Sequence, residues 1–239
     1  MTTLDDLARA FDLDRHQAAT LDRYLDLLLA WRGGNVTAVR TRDDAVERLL
    51  ADSLALLDVP ALTRAGDRWL DLGTGAGIPG LPLAVARRGA RLTLLDSVAK
   101  KCAFLAAALS AMGLAGRVTV VNARSEKYAA RAPEAGGREA FDVVFARAVA
   151  GLATVVELAA PLLAGDGVLL AVKSADGAQR ELPAAEAAAG RCGLAVAATV
   201  ALPRSPLSDS VCVVVGKCGP APDWLPRRPG LATRRPLYS

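Results

Sequence analysis

Apolar residues recur at two different spacings along this chain, and the spacing changes near residue 65. Before that point the period is helical. Leu21, Tyr24, Leu25, Leu28 and Leu29 share one side of a predicted helix that stops at Gly33-Gly34. Val46, Leu49, Leu50, Leu54 and Leu57 predict a second helix over residues 43–58. From residue 67 short apolar runs alternate with helical stretches. Strands are predicted at Arg68–Leu72, Arg91–Asp96, Arg117–Asn122, Phe141–Ala146 and Gly167–Val172, with helices near 79–88, 98–112, 152–164 and 177–190. Such alternation implies βαβ units and a parallel sheet covered on both faces. The end of the chain breaks the rule. Leu194–Leu202 and Ser210–Gly216 are joined only by the turn-rich stretch Pro203–Asp209, which reads as a hairpin, so the last strand should run antiparallel.

Composition narrows the class. Hydrophobic residues make up 52% and charged residues 23% of 239, the balance of a globular protein with its own core. Aromatics are only 4% and alanine is abundant, which predicts closely packed helices. The apolar runs are too short to span a bilayer, and the charged N-terminal stretch lacks a signal-peptide core. Cys102, Cys192, Cys212 and Cys218 show no CxxC spacing and read as buried thiols in a reducing, cytoplasmic setting. The single histidine, His16, lies in a charged N-terminal helix. Histidine-centred metal sites and Ser-His or Cys-His catalysis are therefore not expected, and no metal is assigned.

The net charge of +4 is unevenly placed. Lys217, Arg227, Arg228, Arg234 and Arg235 face only Asp223 in residues 217–239, so the rest of the chain is neutral overall. Proline and glycine in the same stretch predict a flexible basic tail over residues 219–239. It suits either a polyanionic partner or simple solubility.

The most specific motif is Asp71-Leu72-Gly73-Thr74-Gly75-Ala76-Gly77-Ile78-Pro79-Gly80, which ends a strand and opens a helix. Gly73, Gly75 and Gly77 permit a tight turn and close approach of a ligand to the backbone. Pro79 suits the first helical turn. Asp71 sits beneath the loop, where it can accept from loop amides or a ligand ammonium. Asp96 ends the next strand, placed either for ribose hydroxyls or as a helix N-cap. Gly75, Gly77 and Gly80 match GxGxxG, which raises NAD as a cofactor. However, the glycine at the strand-end turn is Gly73, and from there the spacing is Asp-x-Gly-x-Gly-x-Gly with Ile78 at the third Rossmann position. That acidic-x-Gly-x-Gly form favours S-adenosyl-L-methionine, which has no pyrophosphate to hold.

These residues carry a wider resemblance. LDLGTGAGIPGLPLA resembles the signature of the RsmG (GidB) ribosomal RNA methyltransferases. LTLLDSVAKKCAFL, Ala123-Arg124-Ser125-Glu126, FDVVFARAVA and LLAVKS resemble that family's later segments, and Asn35–Val39 and Asp52-Ser53-Leu54 its helical cap. The likeness covers roughly residues 20–216. It implies a Rossmann-like class I methyltransferase fold: a seven-stranded, mostly parallel sheet with the last strand antiparallel, plus an N-terminal helical cap. The expected division is a cap at 1–64, a cofactor-binding domain at 65–218 and the tail. The resemblance further implies contacts to adenosylmethionine from Gly73, Ile78, Ser125, Glu126 and Arg147. Ser125 and Glu126 also read as a capping pair for the following helix. Arg147 reads either as a clamp for a carboxylate or as one half of a structural ion pair. Leu49 stands where the family usually has histidine, and the link from Trp31 to Asn35 is shorter.

The implied substrate is 16S ribosomal RNA or the small ribosomal subunit, methylated at a guanine N7 by a monomer. The residues agree in part. No cysteine follows the fourth strand to attack a base carbon, and Ala146-Arg147-Ala148-Val149 replaces the turn used for exocyclic amines. Guanine N7 offers a lone pair with no proton to lose, so no catalytic acid or base is assigned and positioning suffices. Arg147 and Lys173 are the substrate-side candidates. A small-molecule methyltransferase, and a non-catalytic adenosylmethionine- or RNA-binding protein, are the alternatives.

Overall fold

The computed structural model describes residues 2–207 and 209–237. Helices come first: α1 (Leu4–Ala10) and α2 (Arg15–Ala30). Each opens with a reciprocal cap, Thr3 with Asp6 and Asp14 with Gln17. The cap at Asp14 explains why α2 starts before the first apolar repeat. Residues 43–58 do not form the one helix predicted. They break into α3 (Arg42–Ala45), a π-helical stretch Val46–Ala51, α4 (Asp52–Leu54) and a 3₁₀ turn Ala55–Asp58. The Ser53 hydroxyl donates to the Leu49 carbonyl, and Asp52, 1% exposed, turns inward to Ser205 and Ser210. Local side-chain bonding and a buried acid thus override plain α-helical spacing. Helix α5 (Pro60–Arg64) ends the helical part.

The alternating part follows: β1 (Arg68–Leu72), α6 (Gly80–Ala86), β2 (Arg91–Asp96), α7 (Ala99–Ala111), β3 (Val118–Asn122), α8 (Ser125–Ala129) and β4 (Phe141–Arg147). Then come α9 (Leu152–Ala159), β5 (Leu163–Ser174), α10 (Ala175–Arg191), β6 (Leu194–Ala201), β7 (Ser210–Lys217) and α11 (Leu231–Arg234). The strand order is β3-β2-β1-β4-β5-β7-β6. Strands β1 to β5 pair in parallel; β7 runs antiparallel to β6, as the hairpin required, and inserts between β5 and β6. One residue of the hairpin connection, Ser208, lies outside the described residues. Strand β5 starts four residues before its predicted start, Gly167. The β4–β5 register shifts there, and a side chain at Gly167 would meet the Ala164 and Phe141 carbonyls at 2.9 Å.

Two cores cover the sheet. The helices of residues 4–64 pack on one face with α6 and α7, around Trp69, Phe104 and Phe145. On the other face α9 and α10 pack through Ala185, Ala188 and Ala189, the close contacts that the alanine content predicted. Cys102, Cys192 and Cys212 are buried as expected, but Cys218 is exposed just past β7. No helix among the described residues is long and apolar enough to cross a membrane.

The tail corrects an expectation. Residues 219–237 are not a free, extended segment. Arg138 donates to the Leu225 and Ala221 carbonyls at 2.6 Å, and Arg191 to the Leu237 carbonyl at 2.7 Å. Arg227 makes a two-pronged contact with the buried Glu157 at 2.6 and 2.5 Å. Ala221, Leu225, Ala232 and Leu237 are buried. Tyr238 and Ser239, at the end of the predicted tail, lie outside the described residues.

Candidate active site

The connection after β1 leads toward β2 and that after β4 toward β5, so a crevice opens between them at the carboxyl ends of the strands. The glycine loop rims it. Gly73 (φ +68°), Gly75 (φ +59°) and Gly77 (φ +97°) all adopt left-handed backbone. Around Gly75 the space is open: an added Cβ would meet only the Gly73 carbonyl, at 4.0 Å. At Gly73 it would strike Val149 at 2.9 Å.

Asp71 is fully buried beneath this loop. Its Oδ2 accepts from the Thr74 hydroxyl at 2.6 Å and from the Gly80 amide at 2.9 Å. Its Oδ1 has no partner. Burial pushes the carboxyl up from 3.8 to about 6, against the hydrogen bonds from Thr74 and Gly80 and the positive charge of Arg147, which favour ionisation. This geometry decides between the two cofactors. In a dinucleotide site the amides at the helix N-terminus face a pyrophosphate. Here the protein's own acid already takes the first amide of α6, and a second anion beside it would be repelled. A side chain at Gly80 would meet that carboxylate at 2.8 Å.

Asp96 binds the loop from the side. Its Oδ2 accepts from the Gly75 amide at 3.0 Å and its Oδ1 from the Val98 amide at 2.8 Å. Lys101 lies 3.6 Å away. The N-cap of α7 is Val98, with no side-chain cap, so the helix-cap reading of Asp96 fails. Ser125 and Glu126 do not cap α8 either: its N-cap is Arg124, without a side-chain bond. Instead Glu126 Oε2 accepts from the Ser125 hydroxyl at 3.2 Å, and its Oε1 from the Gly230 amide at 2.7 Å. Gly73, Asp96, Ser125 and Glu126 thus line one cleft together with Gly230 and Thr233. Gly77 and Ile78 lie buried behind the loop, outside the cleft lining.

Arg147, at the end of β4, turns to the helical cap. It makes an ion pair with Asp52 at 2.9 Å and donates to the Arg48 carbonyl at 2.7 Å. Of its two sequence readings, the structural ion pair is the one observed. Lys173 is also committed: its ammonium donates to the Ala150 carbonyl at 2.9 Å and pairs with Glu181 at 2.8 Å. It braces the turn after β4, where Ala148 holds φ +53°. Lys173, a substrate-side candidate from the sequence, thus spends its charge within the protein, on Glu181.

Sequence reasoning missed four participants. Tyr24 on α2 donates its hydroxyl to the Ala76 carbonyl at 2.9 Å, tying cap to loop. Asn122 donates its side-chain amide to the Asp96 carbonyl at 3.0 Å. Gly230 and Thr233 come from the tail. Tyr24 carried one visible signal, a polar hydroxyl on an otherwise apolar helix face.

Strand order, antiparallel β7 and the loop over an acidic strand end define a Rossmann-like methyltransferase fold. Solved structures share it. One is the O-methyltransferase NcsB1 from neocarzinostatin biosynthesis, solved with S-adenosylmethionine: 20% identical, TM-score 0.50, over 71% of this chain and 55% of that one. The pyocyanin biosynthetic protein PhzM is 17% identical, with TM-score 0.52, over 70% of this chain and 54% of that one. The family model described as GidB, rRNA small subunit methyltransferase G, matches residues 17–205. A protein of Carboxydothermus hydrogenoformans called ribosomal RNA small subunit methyltransferase G is 36% identical over 228 residues, 94% of each chain. One of the same description from Roseiflexus is 37% identical over an alignment of 245 positions that covers 100% of each chain. The chain belongs to the rRNA small subunit methyltransferase G (GidB) family.

Proposed function

We propose that this protein transfers a methyl group from S-adenosyl-L-methionine to N7 of a guanine in 16S ribosomal RNA. The family match supports the methyltransferase and its RNA class, and the structural observation that carries the cofactor is the open space at Gly75, whose amide Asp96 holds, above the buried Asp71 with its unpartnered Oδ1. The unpartnered Oδ1 of Asp71 suits an ammonium, as in the methionine part of the cofactor. Asp96 would receive ribose hydroxyls, and Ser125 and Glu126 border the adenine side. Gly73, Gly75, Gly77 and Ile78 shape the loop, and Arg147 acts near Asp71 through its charge. The division into a cap, 1–64, a cofactor-binding part, 65–218, and a tail belongs to the same proposal, as does a cytoplasmic monomer.

When bound, adenosylmethionine would supply a methyl group on a sulfonium: a lone pair of the acceptor displaces it in line, the sulfur–methyl bond breaks, and neutral adenosylhomocysteine leaves. The protein's work is then orientation. The loop would hold the cofactor, and the Arg147–Asp52 pair and the Tyr24–Ala76 bond fix the N-terminal helices against the loop and the end of β4. Guanine N7 loses no proton, so the mechanism assigns no base. Arg124 is exposed in the cleft lining, and Arg228, Arg234 and Arg235 are exposed in the segment that carries Gly230 and Thr233; these are cations available for phosphates.

Incubation with labelled adenosylmethionine and either small-subunit RNA or small acceptors tests the proposal. Label in the RNA supports it. Label only in small acceptors would support the small-molecule alternative, and adenosylhomocysteine binding without transfer would leave a binding protein.

A further inference from the structure

The composition of the C-terminal segment predicts a flexible tail, yet the segment borders the candidate cleft. Gly230 and Thr233 line that cleft together with Gly73, Asp96, Ser125 and Glu126. Gly230 takes left-handed backbone (φ +78°), and a Cβ there would meet nothing within 4 Å. Its amide donates to Glu126 at 2.7 Å. Behind it the segment is clamped. Arg227 grips Glu157 with two nitrogens, and one of these also donates to the Arg235 carbonyl at 2.8 Å, closing residues 227–235 into a hook. Glu157 is 3% exposed, so this pair is shielded from water where exposed pairs are not. The Thr154 hydroxyl reaches the Ala232 carbonyl at 3.3 Å.

We infer that residues 227–235 form the outer wall of the cofactor site, latched through Gly230–Glu126 and Arg227–Glu157, and that this wall governs retention of the adenosyl end of the cofactor. The inference rests on the adenosylmethionine reading. It changes the part assigned to Glu126. One carboxylate oxygen is occupied by the tail and the other by Ser125, so Glu126 is a positioning residue that seats the wall. The family model ends at residue 205, so this wall lies outside the matched region.

Hydrogen exchange of the full-length protein, with and without adenosylhomocysteine, tests the proposal. Exchange should slow in two places on binding: the glycine loop, 73–78, and the segment 227–235. Slowing of the loop with no change in 227–235 would overturn the wall while leaving the cofactor reading intact. No slowing anywhere would overturn both. Calorimetry adds the latch. Glu126→Ala should weaken adenosylhomocysteine binding about tenfold, whereas Glu126→Gln keeps an acceptor for the Gly230 amide and should stay within about twofold. The neutral pair Arg227→Gln with Glu157→Gln removes the clamp without leaving a buried charge, and should release ligand faster with little change in melting temperature. Equal affinities for Glu126→Ala and Glu126→Gln would contradict the latch.

Discussion

The hydroxyl of Tyr24, on the second helix, donates to the carbonyl of Ala76, in the middle of the glycine loop, at 2.9 Å. Tyr24 is fully buried, packs against Phe104 and has its ionisation pushed up by burial, so it stays a neutral donor. The N-terminal helices and the glycine loop are thereby tied together. Tyr24→Phe leaves a buried carbonyl unpaired and should cost about 1–3 kcal/mol of stability, read by urea denaturation, and should weaken cofactor binding as well. An unchanged midpoint would show that the loop does not depend on the cap.

Asp71 gives a pH signature. Its folded pKa is raised from 3.8 to about 6, so the native state holds the proton more tightly than the unfolded chain. The stability it contributes is therefore fullest below 3.8 and is lost as pH rises through about 6. A ligand ammonium reverses the preference, because it favours the carboxylate. Adenosylhomocysteine affinity should be flat above about pH 7 and fall toward tenfold per unit below about pH 6. Calorimetry across that range checks it. Asp71→Asn should bind weakly with no such slope, and a wild-type profile flat down to pH 5 would refute the ammonium contact.

Asp96 is predicted to contribute through both ribose and loop. Asp96→Ala should weaken cofactor binding by about 1.5–3 kcal/mol, and part of that loss reflects the unpaired Gly75 amide. Equal affinity in a folded variant would remove Asp96 from the site.

The Asp52–Arg147 pair should matter for stability before chemistry. Asp52 is 1% exposed while the Arg147 side chain keeps 18%, so the cost of Asp52→Ala belongs at the low end for buried pairs, about 3 kcal/mol. Asp52→Asn retains an acceptor for Ser205 and Ser210 and should cost less. Denaturant midpoints of the two variants decide, and a loss under about 1 kcal/mol in Asp52→Ala would mean the pair is idle.

Much of this was legible in the sequence, and the reasons are specific. β1 and β2 match their predicted limits because each is a short apolar run ending in an acid or at a glycine. The glycine loop was legible because positive φ leaves few other residues able to serve. The insertion of β7 between β5 and β6 was not, since a hairpin fixes direction and not which strand it joins. The partners of Arg147 and Lys173 were hidden by sequence distance: a cation at a strand end looks the same whether it awaits phosphate or holds Asp52 or Glu181. The tail was misread for a related reason. Its order comes from Arg138 and Arg191 of the preceding domain, which donate to its carbonyls, and from its own Arg227 on the buried Glu157; the first two are distant in sequence, and composition cannot distinguish the third from a solvated arginine.

The acceptor atom is the centre of the account, and one measurement addresses it most directly. Small-subunit RNA is methylated by the protein with labelled adenosylmethionine, then reduced and treated with aniline. Methylation at guanine N7 weakens the glycosidic bond, so the account predicts strand cleavage at one guanine, the nucleotide that carries the label. Incorporation of label without that cut would show that another atom accepts the methyl group, and would contradict a mechanism built on positioning an unprotonated ring nitrogen.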